Sequence, residues 1–260
     1  MRTQLTPGLW RYGPPVNTSA DTPVGPTFVL APFAGGSAYS VAEWTKPLLA
    51  KGQVALALQY PGRGTRAEEP SARRMAELAD AAATDVLAHS DGPLVLVGHS
   101  LGGQLAHELA LRLEAAGRTI ELLVVSAAKP PGLGRMSLAQ IVAMDRDAWR
   151  RELATNGFDE KDMLTPLDAV IQVLRSDYLL LARHHRSGGV VNAPVLAIGG
   201  DSDHWVTKEH LLAWAGLTRG GCTTAVLPGG HFYYRDQLAA FARWIRTTLA
   251  EGAAEWSADA

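Results

Sequence analysis

The chain has 260 residues, 24 basic against 26 acidic, for a formal charge of -2 at pH 7. With no basic excess to neutralise phosphates, nucleic acid is not expected as a general partner, and no apolar run approaches the roughly 20 residues that span a bilayer. Cys222 is the only cysteine, which rules out an internal disulfide and a thiolate metal cluster, while Pro7, Gly8, Pro14 and Pro15 fall where a signal peptide needs an apolar core; the expectation is a soluble cytoplasmic protein.

That length suits one α/β domain over residues 1–260 carrying an insertion. Residues up to about Pro26 are rich in Pro, Thr, Ser and Gly and read as an irregular lead-in. The aliphatic run Thr27 to Ala31 predicts the first core strand, followed by the glycine-rich turn Pro32-Phe33-Ala34-Gly35-Gly36-Ser37 and a helix around Val41 to Lys51. A second strand over Gln53 to Gln59 leads through Tyr60-Pro61-Gly62-Arg63-Gly64 into a helix from about Ser71 to His89. That helix carries Met75, Leu78, Ala82, Val86 and Leu87 on one face, and Asp91-Gly92-Pro93 stops it. Leu94 to Val97 predicts a buried strand, Leu101 to Ala116 a helix ended by Gly117, and Ile120 to Ser126 another strand.

From Lys129 to about Gly189 the strand pattern gives way to helical spacing over Asp147 to Thr155 and Leu167 to His185, separated by Asn156-Gly157 and Pro166. Because residues 129–189 fall between two core strands, they read as a helical lid insertion. Its apolar Trp149, Leu153, Met163 and Leu164 are candidates for a pairing surface; the oligomeric state itself is not legible. Strands over Pro194 to Gly199 and Cys222 to Leu227, then a helix over about Asp236 to Leu249, complete the chain, with Cys222 read as a small buried residue. Strands alternating with helices imply a mostly parallel sheet flanked by helices.

Gly98-His99-Ser100-Leu101-Gly102 follows a buried strand and opens a helix, the setting of a nucleophile elbow in which a tight turn exposes one serine. Serine is a weak nucleophile at neutral pH and needs a base and an orienting carboxylate. His231, in Pro228-Gly229-Gly230-His231-Phe232 after the last strand, is the candidate base. Asp203 fits the G-x-x-D spacing from Gly200 and is the candidate carboxylate; Asp201 is the alternative, otherwise a turn former. Most of the eight histidines read as structural or solvent-facing: His99 points away from the site by strand alternation, His107 lies on the elbow helix, and His184 with His185 ends the lid helix. No H-E-x-x-H or similar metal spacing occurs. In this constellation Ser100 attacks an acyl carbonyl, His231 shuttles the proton and Asp203 fixes the imidazole tautomer. The backbone N–H of Leu101 and that of Ala34, with Phe33 as the alternative, would hold the oxyanion.

With these residues in place the chain resembles the discrete type II thioesterases that accompany nonribosomal peptide and polyketide synthases, members of the α/β-hydrolase superfamily. The match spans nearly the whole chain. It rests on Leu9-Trp10-Arg11, Pro32-Phe33-Ala34-Gly35-Gly36-Ser37, Gln59-Tyr60-Pro61-Gly62-Arg63 with Arg66, Gly98-His99-Ser100, Leu174-Arg175-Ser176-Asp177-Tyr178, Gly199-Gly200-Asp201-Ser202-Asp203 and Gly229-Gly230-His231-Phe232. Leu101-Gly102-Gly103 departs from the frequent Met-Gly-Ala, and Ala154-Thr155-Asn156-Gly157 replaces a usual glycine pair in the lid. The resemblance implies an α/β-hydrolase fold with a mobile lid. It also implies cofactor-free hydrolysis of acyl groups from the phosphopantetheine thiol of an acyl or peptidyl carrier protein, for editing or release.

Carrier proteins are commonly acidic, which makes Arg63, Arg66, Arg73 and Arg74 candidates for docking, although Arg73 and Arg74 equally suit a solvated helix face and Arg63 a local tie. The same three side chains also fit transfer of the acyl group to an amine or alcohol, and a general esterase. A turnover-free binding protein is the reading from another class, disfavoured because all three triad members are present.

Overall fold

The computed structural model describes residues 1–14, 25–133, 136–156, 158, 165–184 and 189–258, those after 252 as backbone only. The lead-in differs from expectation. Arg2–Thr6 (β1) and Leu9–Tyr12 (β2) form an antiparallel hairpin about Pro7-Gly8, and β2 pairs antiparallel with Ala55–Leu58 (β4). Proline and glycine act here as the turn of a hairpin rather than as a break, and Leu9 and Tyr12 are the buried residues of β2. The rest of the lead-in, 15–24, lies outside the described residues.

The remaining strands are Thr27–Ala31 (β3), Leu94–His99 (β5), Ile120–Ser126 (β6), Val195–Gly200 (β7) and Cys222–Leu227 (β8). The eight strands form one sheet in the order β1-β2-β4-β3-β5-β6-β7-β8, parallel from β4 to β8. Both faces are covered, so the central strands are apolar throughout. Alternate residues go to opposite sides: Val29, Leu56, Leu96, Leu123 and Ala197 join one apolar cluster, Phe28, Ala57, Val97, Val124 and Ile198 the other. Met75–His89 (α2) and Leu101–Ala115 (α3) cover the first face; Ala42–Leu48 (α1) and Leu238–Ala258 (α8) cover the second.

Helix ends follow local chemistry. Helix α1 stops soon after Pro47, shorter than predicted, and α2 begins only at Met75 because Arg74 is extended. Beyond α3, Gly117 sits at φ +80°, and its N–H and that of Arg118 donate to Glu114 and Leu113, which satisfies the last carbonyls. Cys222 is half-buried rather than buried, and burial pushes its thiol up from its ordinary value.

Between β6 and β7 the described residues form three helices and no strand: Leu138–Ala143 (α4), Arg146–Thr155 (α5) and Leu167–Arg183 (α6). Ser137 and Gln140 make a reciprocal cap for α4, and the Asp145 carboxylate accepts the Ala148 N–H to start α5. Ile141, Trp149, Leu153, Leu167, Leu174 and Tyr178 gather into a small apolar cluster of their own. Trp149 and Leu153 are therefore interior and do not form a pairing surface; Met163 and Leu164 lie outside the described residues. A short helix Lys208–Leu212 (α7) precedes β8.

Candidate active site

The elbow at Ser100 is forced by close approach of backbone to backbone. A Cβ at Gly98 would lie 2.0 Å from the Gly102 carbonyl oxygen, one at Gly102 would lie 2.1 Å from that of Ala31, and one at Gly103 would meet the Ala128 Cβ at 2.5 Å. Only hydrogen fits at these three positions, so α3 can press against β3 and β6. Ser100 itself takes φ +56° and ψ -115°, a conformation that costs a non-glycine residue of order 1–3 kcal/mol. It is held there by its N–H, which donates to the Ser126 carbonyl on the neighbouring strand at 2.8 Å.

Three strand ends converge on that serine. The His231 Nε2 lies 3.0 Å from Ser100 Oγ, and its Nδ1 lies 2.8 Å from Asp203 Oδ2. The other Asp203 oxygen accepts the N–H groups of Trp205 at 2.8 Å and Val206 at 3.2 Å. Burial alone would raise this carboxyl, but the hydrogen bond and charge of His231, with the two backbone donors, outweigh it and hold the group below the ordinary carboxylate value. All three side chains are buried. Asp201 faces elsewhere: it is exposed and accepts the Gly229 N–H at 3.0 Å and the Ser202 hydroxyl at 2.8 Å, tying the β7 turn to the β8 turn. The structure thus brings Asp203, and not Asp201, to the imidazole.

Leu101 is the first residue of α3, whose leading N–H groups have no intrahelical acceptor. Across from it, Phe33-Ala34-Gly35-Gly36 forms a tight turn in which the Gly36 N–H donates to the Phe33 carbonyl at 2.9 Å and Gly35 sits at φ +81°. Ala34 occupies the second position of that turn and lines, with Ser100 and His231, an open cavity. The other walls are Phe33, Gly35, Leu153, Asn156, Phe158, Val170, Leu174, Tyr178 and Phe232. Among the described residues no carboxylate, ammonium or guanidinium lines it. Phe33, Phe158 and Phe232 meet edge to face or tilted, with centroids 4.8 to 6.3 Å apart. The insertion therefore supplies one wall and the sheet loops the other.

Sequence reasoning misplaced His99. Its ring does go to the face that alternation predicts, among Val95 and Val97, but the Phe232–Tyr234 segment folds down over the same face. His99 consequently lies 5.1 Å, ring to ring, from His231. Its Nδ1 meets Ser126 Oγ at 2.9 Å, which in turn meets the Tyr233 hydroxyl at 2.8 Å. His107 packs edge to face on Trp214, and His184 caps α6 with Nε2 3.5 Å from Glu108 on α3; His185 lies outside the described residues. Among the described residues no group of three His, Cys, Asp or Glu is arranged to hold a metal ion. No described helix is long and apolar enough to cross a membrane.

The arginine candidates separate by environment. Arg63 is buried, with its guanidinium gripping Asp177 of α6 through both oxygens at 2.5 and 2.6 Å. Arg66 pairs with Glu69 and donates to the Gln59 carbonyl; Arg74 pairs with Glu77 in full solvent, and Arg73 is exposed. Arg63 is thus unavailable for docking. Its partner Asp177 escaped notice as a site residue, although an acid on the stripe that carries Leu174 and Tyr178 was the available signal.

The profile of the thioesterase domain family matches residues 26–249. Thioesterase PikA5 of Streptomyces venezuelae is 34% identical over 239 residues, 88% of this chain and 82% of that protein. Phenyloxazoline synthase MbtB of Mycobacterium tuberculosis is 30% identical over 219 residues, 82% of this chain but only 15% of the synthase. Of solved structures, that of the type II thioesterase BorB from the borrelidin biosynthetic cluster superposes with a TM-score of 0.80 at 29% identity. It covers 95% of this chain and 99% of BorB, and the fold shared is that of the α/β-hydrolases.

Proposed function

The chain belongs to the thioesterase family, and on that premise we propose that it hydrolyses acyl groups from the phosphopantetheine thiol of carrier proteins in natural-product assembly lines. The reaction edits stalled chains or releases intermediates. Ser100 Oγ attacks the thioester carbonyl while His231 Nε2 takes its proton, and Asp203 holds the imidazole in the tautomer that keeps Nε2 free to accept. The N–H groups of Leu101 and Ala34 receive the oxyanion, a contribution of roughly 3 to 4 kcal/mol for one such donor. Thiolate is a good leaving group that asks little acid help, and it takes up the proton held by His231 as the thiol departs, which frees Nε2 to act again as a base. Water, deprotonated by the same imidazole, then attacks the acyl-enzyme and regenerates Ser100.

One observation carries this reading: the hydrogen-bonded relay from Ser100 through His231 to Asp203 opens into a cavity of apolar and aromatic walls. Such walls favour an uncharged acyl group. The helices α4 to α6 serve as the lid, and an acidic carrier docks at its margin. The cytoplasm is the expected compartment, in keeping with a lone cysteine.

The test is single-turnover hydrolysis of an acyl-loaded carrier protein. Ser100→Ala should lower the rate by about 10⁶-fold, by analogy with loss of the nucleophile in a model serine protease. Wild-type turnover by that variant would overturn the mechanism, and product mass spectra with added amines or alcohols would reveal transfer in place of hydrolysis.

A further inference from the structure

The turn that carries Ala34 is not held by the sheet alone. The Gly35 N–H donates to Asp177 Oδ2 at 2.7 Å, and Asp177 belongs to α6, 142 residues away and part of the insertion. Arg63 grips the same carboxylate through its two terminal guanidinium nitrogens, reaches the Gly36 carbonyl at 3.4 Å, and lies over the Tyr60 ring at 5.3 Å. The Tyr60 hydroxyl donates to the Pro32 carbonyl at 2.8 Å. Gln59 closes the set, accepting the Ala38 N–H at 3.2 Å and donating to the Arg63 carbonyl at 2.9 Å. Both ends of the Pro32–Ser37 turn are therefore tied to the Gln59–Arg63 segment, while its centre is tied to the insertion by one carboxylate.

The pair is nearly dry, with the Arg63 side chain 7% and the Asp177 side chain 4% exposed. Buried ion pairs are poor stabilisers, because removing two charges from water offsets most of their attraction. Bidentate geometry, by contrast, fixes direction as well as distance. The third hydrogen bond of Asp177 falls on the amide next to Ala34. Resting on the thioesterase reading, we propose that Asp177, oriented by Arg63, is a positioning residue for the oxyanion turn, so that seating of helix α6 and correct aim of the Ala34 N–H are one structural state. An insertion lifted from the core would take the carboxylate with it. The enzyme then completes its anion-stabilising pair only when the acyl pocket is also complete, since Leu174 and Tyr178 of the same helix wall that pocket. The hydrogen bonds that join Ser100, His231 and Asp203 do not run through the clamp residues, so this relay keeps its geometry in either state.

The prediction concerns a split between binding and chemistry, measured on the full chain with a short acyl-pantetheine thioester and a trifluoromethyl ketone of the same chain length. Asp177→Ala should lower kcat by about 10²-fold, the cost of misplacing a catalytic group by about 1 Å. KM should stay within about threefold and the pH profile should keep its midpoint, while affinity for the ketone, whose adduct carries the oxyanion, falls in parallel with kcat. Asp177→Asn retains an oxygen for the Gly35 N–H and should recover part of the loss.

The decisive variant is Arg63→Met with Asp177→Leu, which removes both charges and refills the space with apolar atoms. It should keep a melting temperature close to wild type yet remain slow. Wild-type kcat and ketone affinity in that folded variant would overturn the proposal and leave the clamp a mere strut. If Asp177→Ala fails to fold, the apolar pair alone decides. A wild-type protein that forms the ketone adduct but leaves every thioester intact would sink the substrate reading instead, and the ketone affinities would still decide the role of the clamp.

Discussion

The two walls of the acyl cavity are built in opposite ways. On the sheet side, Ser100, Asp203 and His231 leave the ends of β5, β7 and β8, strands that pair side by side or through β6 across one continuous sheet. Each side chain sits within four residues of the end of the strand that positions it. On the insertion side, α5 and α6 share a small cluster around Trp149 and Leu174 and an internal polar set in which the Tyr178 hydroxyl donates to Glu152 at 2.5 Å and Asn156 donates to Glu152. The described ties of this insertion to the core run through side chains: Asp177 to Arg63 and Gly35, His184 to Glu108, Phe158 to Phe33, Phe232 and Arg235, the Gln104 amide to the Lys129 carbonyl, and Leu180 of α6 in the main apolar cluster. Chemistry is thus anchored through the backbone and the acyl pocket through side chains. Damage to the first should be all or none, and damage to the second graded.

The largest effect should come from the elbow packing. Gly102→Ala places a methyl 2.1 Å from the Ala31 carbonyl oxygen and 2.6 Å from that of Pro32. Both atoms are backbone, in and just after a central strand, and cannot step aside as a flexible side chain would. We expect loss of the folded enzyme, read as insoluble expression or a collapsed melting temperature. Soluble, active protein would show that the sheet side yields as the insertion does, and would erase the contrast between the walls.

Next is the carboxylate, where two acids two residues apart serve as each other's control. Asp203→Asn should lower kcat about 10⁴-fold through the wrong imidazole tautomer, with the fold intact. Asp201→Asn, which alters only the exposed tie between two turns, should leave kcat within a few-fold. Both carboxyls are held below the ordinary value, Asp203 against its burial by the hydrogen bond to His231 and Asp201 in the open by the Gly229 N–H and the Ser202 hydroxyl. Asp203 is held below its ordinary value, so its stabilising contribution is complete above the unfolded carboxylate value of about 3.9 and disappears as pH falls through the lower folded value. Acid melting curves of Asp203→Asn should lack that component. Equal losses of kcat in the two variants would mean that the carboxylate is not assigned to one residue.

How much of this was legible in the sequence follows the same division. Strand ends fixed by long apolar runs and glycine punctuation were readable: Thr27–Ala31, Ile120–Ser126 and Cys222–Leu227 begin and end as expected. Ser100, Asp203 and His231 were readable as candidates because each follows a strand, Leu94–His99, Val195–Gly200 and Cys222–Leu227 in turn. The hairpin β1–β2 was not, since an edge pair with Arg2 and Arg11 on it and only Leu9 and Tyr12 buried shows too little alternation against a Pro- and Gly-rich background. His99 was misjudged because strand alternation gives a face, not what later folds onto it. Arg63 and Asp177 are 114 residues apart, and no local pattern reports a contact across that span. A charged residue inside an apolar helical stripe is a sign that some partner exists, without saying which.

The smallest and most discriminating change concerns the insertion. Trp149 is buried at 2% exposure, packs edge to face on Tyr178 at 5.4 Å, and belongs to the cluster that joins α5 to α6. Truncating a buried tryptophan to alanine costs about 3 to 5 kcal/mol where the surroundings cannot collapse. If the insertion is a unit of its own, that cost falls on it and not on the sheet, so the main unfolding transition of Trp149→Ala should shift little while proteolysis within residues 129–189 accelerates. Turnover should respond in the same graded way. Tyr178 and Leu174 wall the pocket, so KM for longer acyl chains should rise more than for the shortest, and kcat should fall several-fold through α6 and its carboxylate. A single cooperative loss of both sheet and insertion would show instead that the two walls share one stability. In that case the turn bearing Ala34 would be secured by the whole fold, and the selective role given to Asp177 would have no independent element to act through.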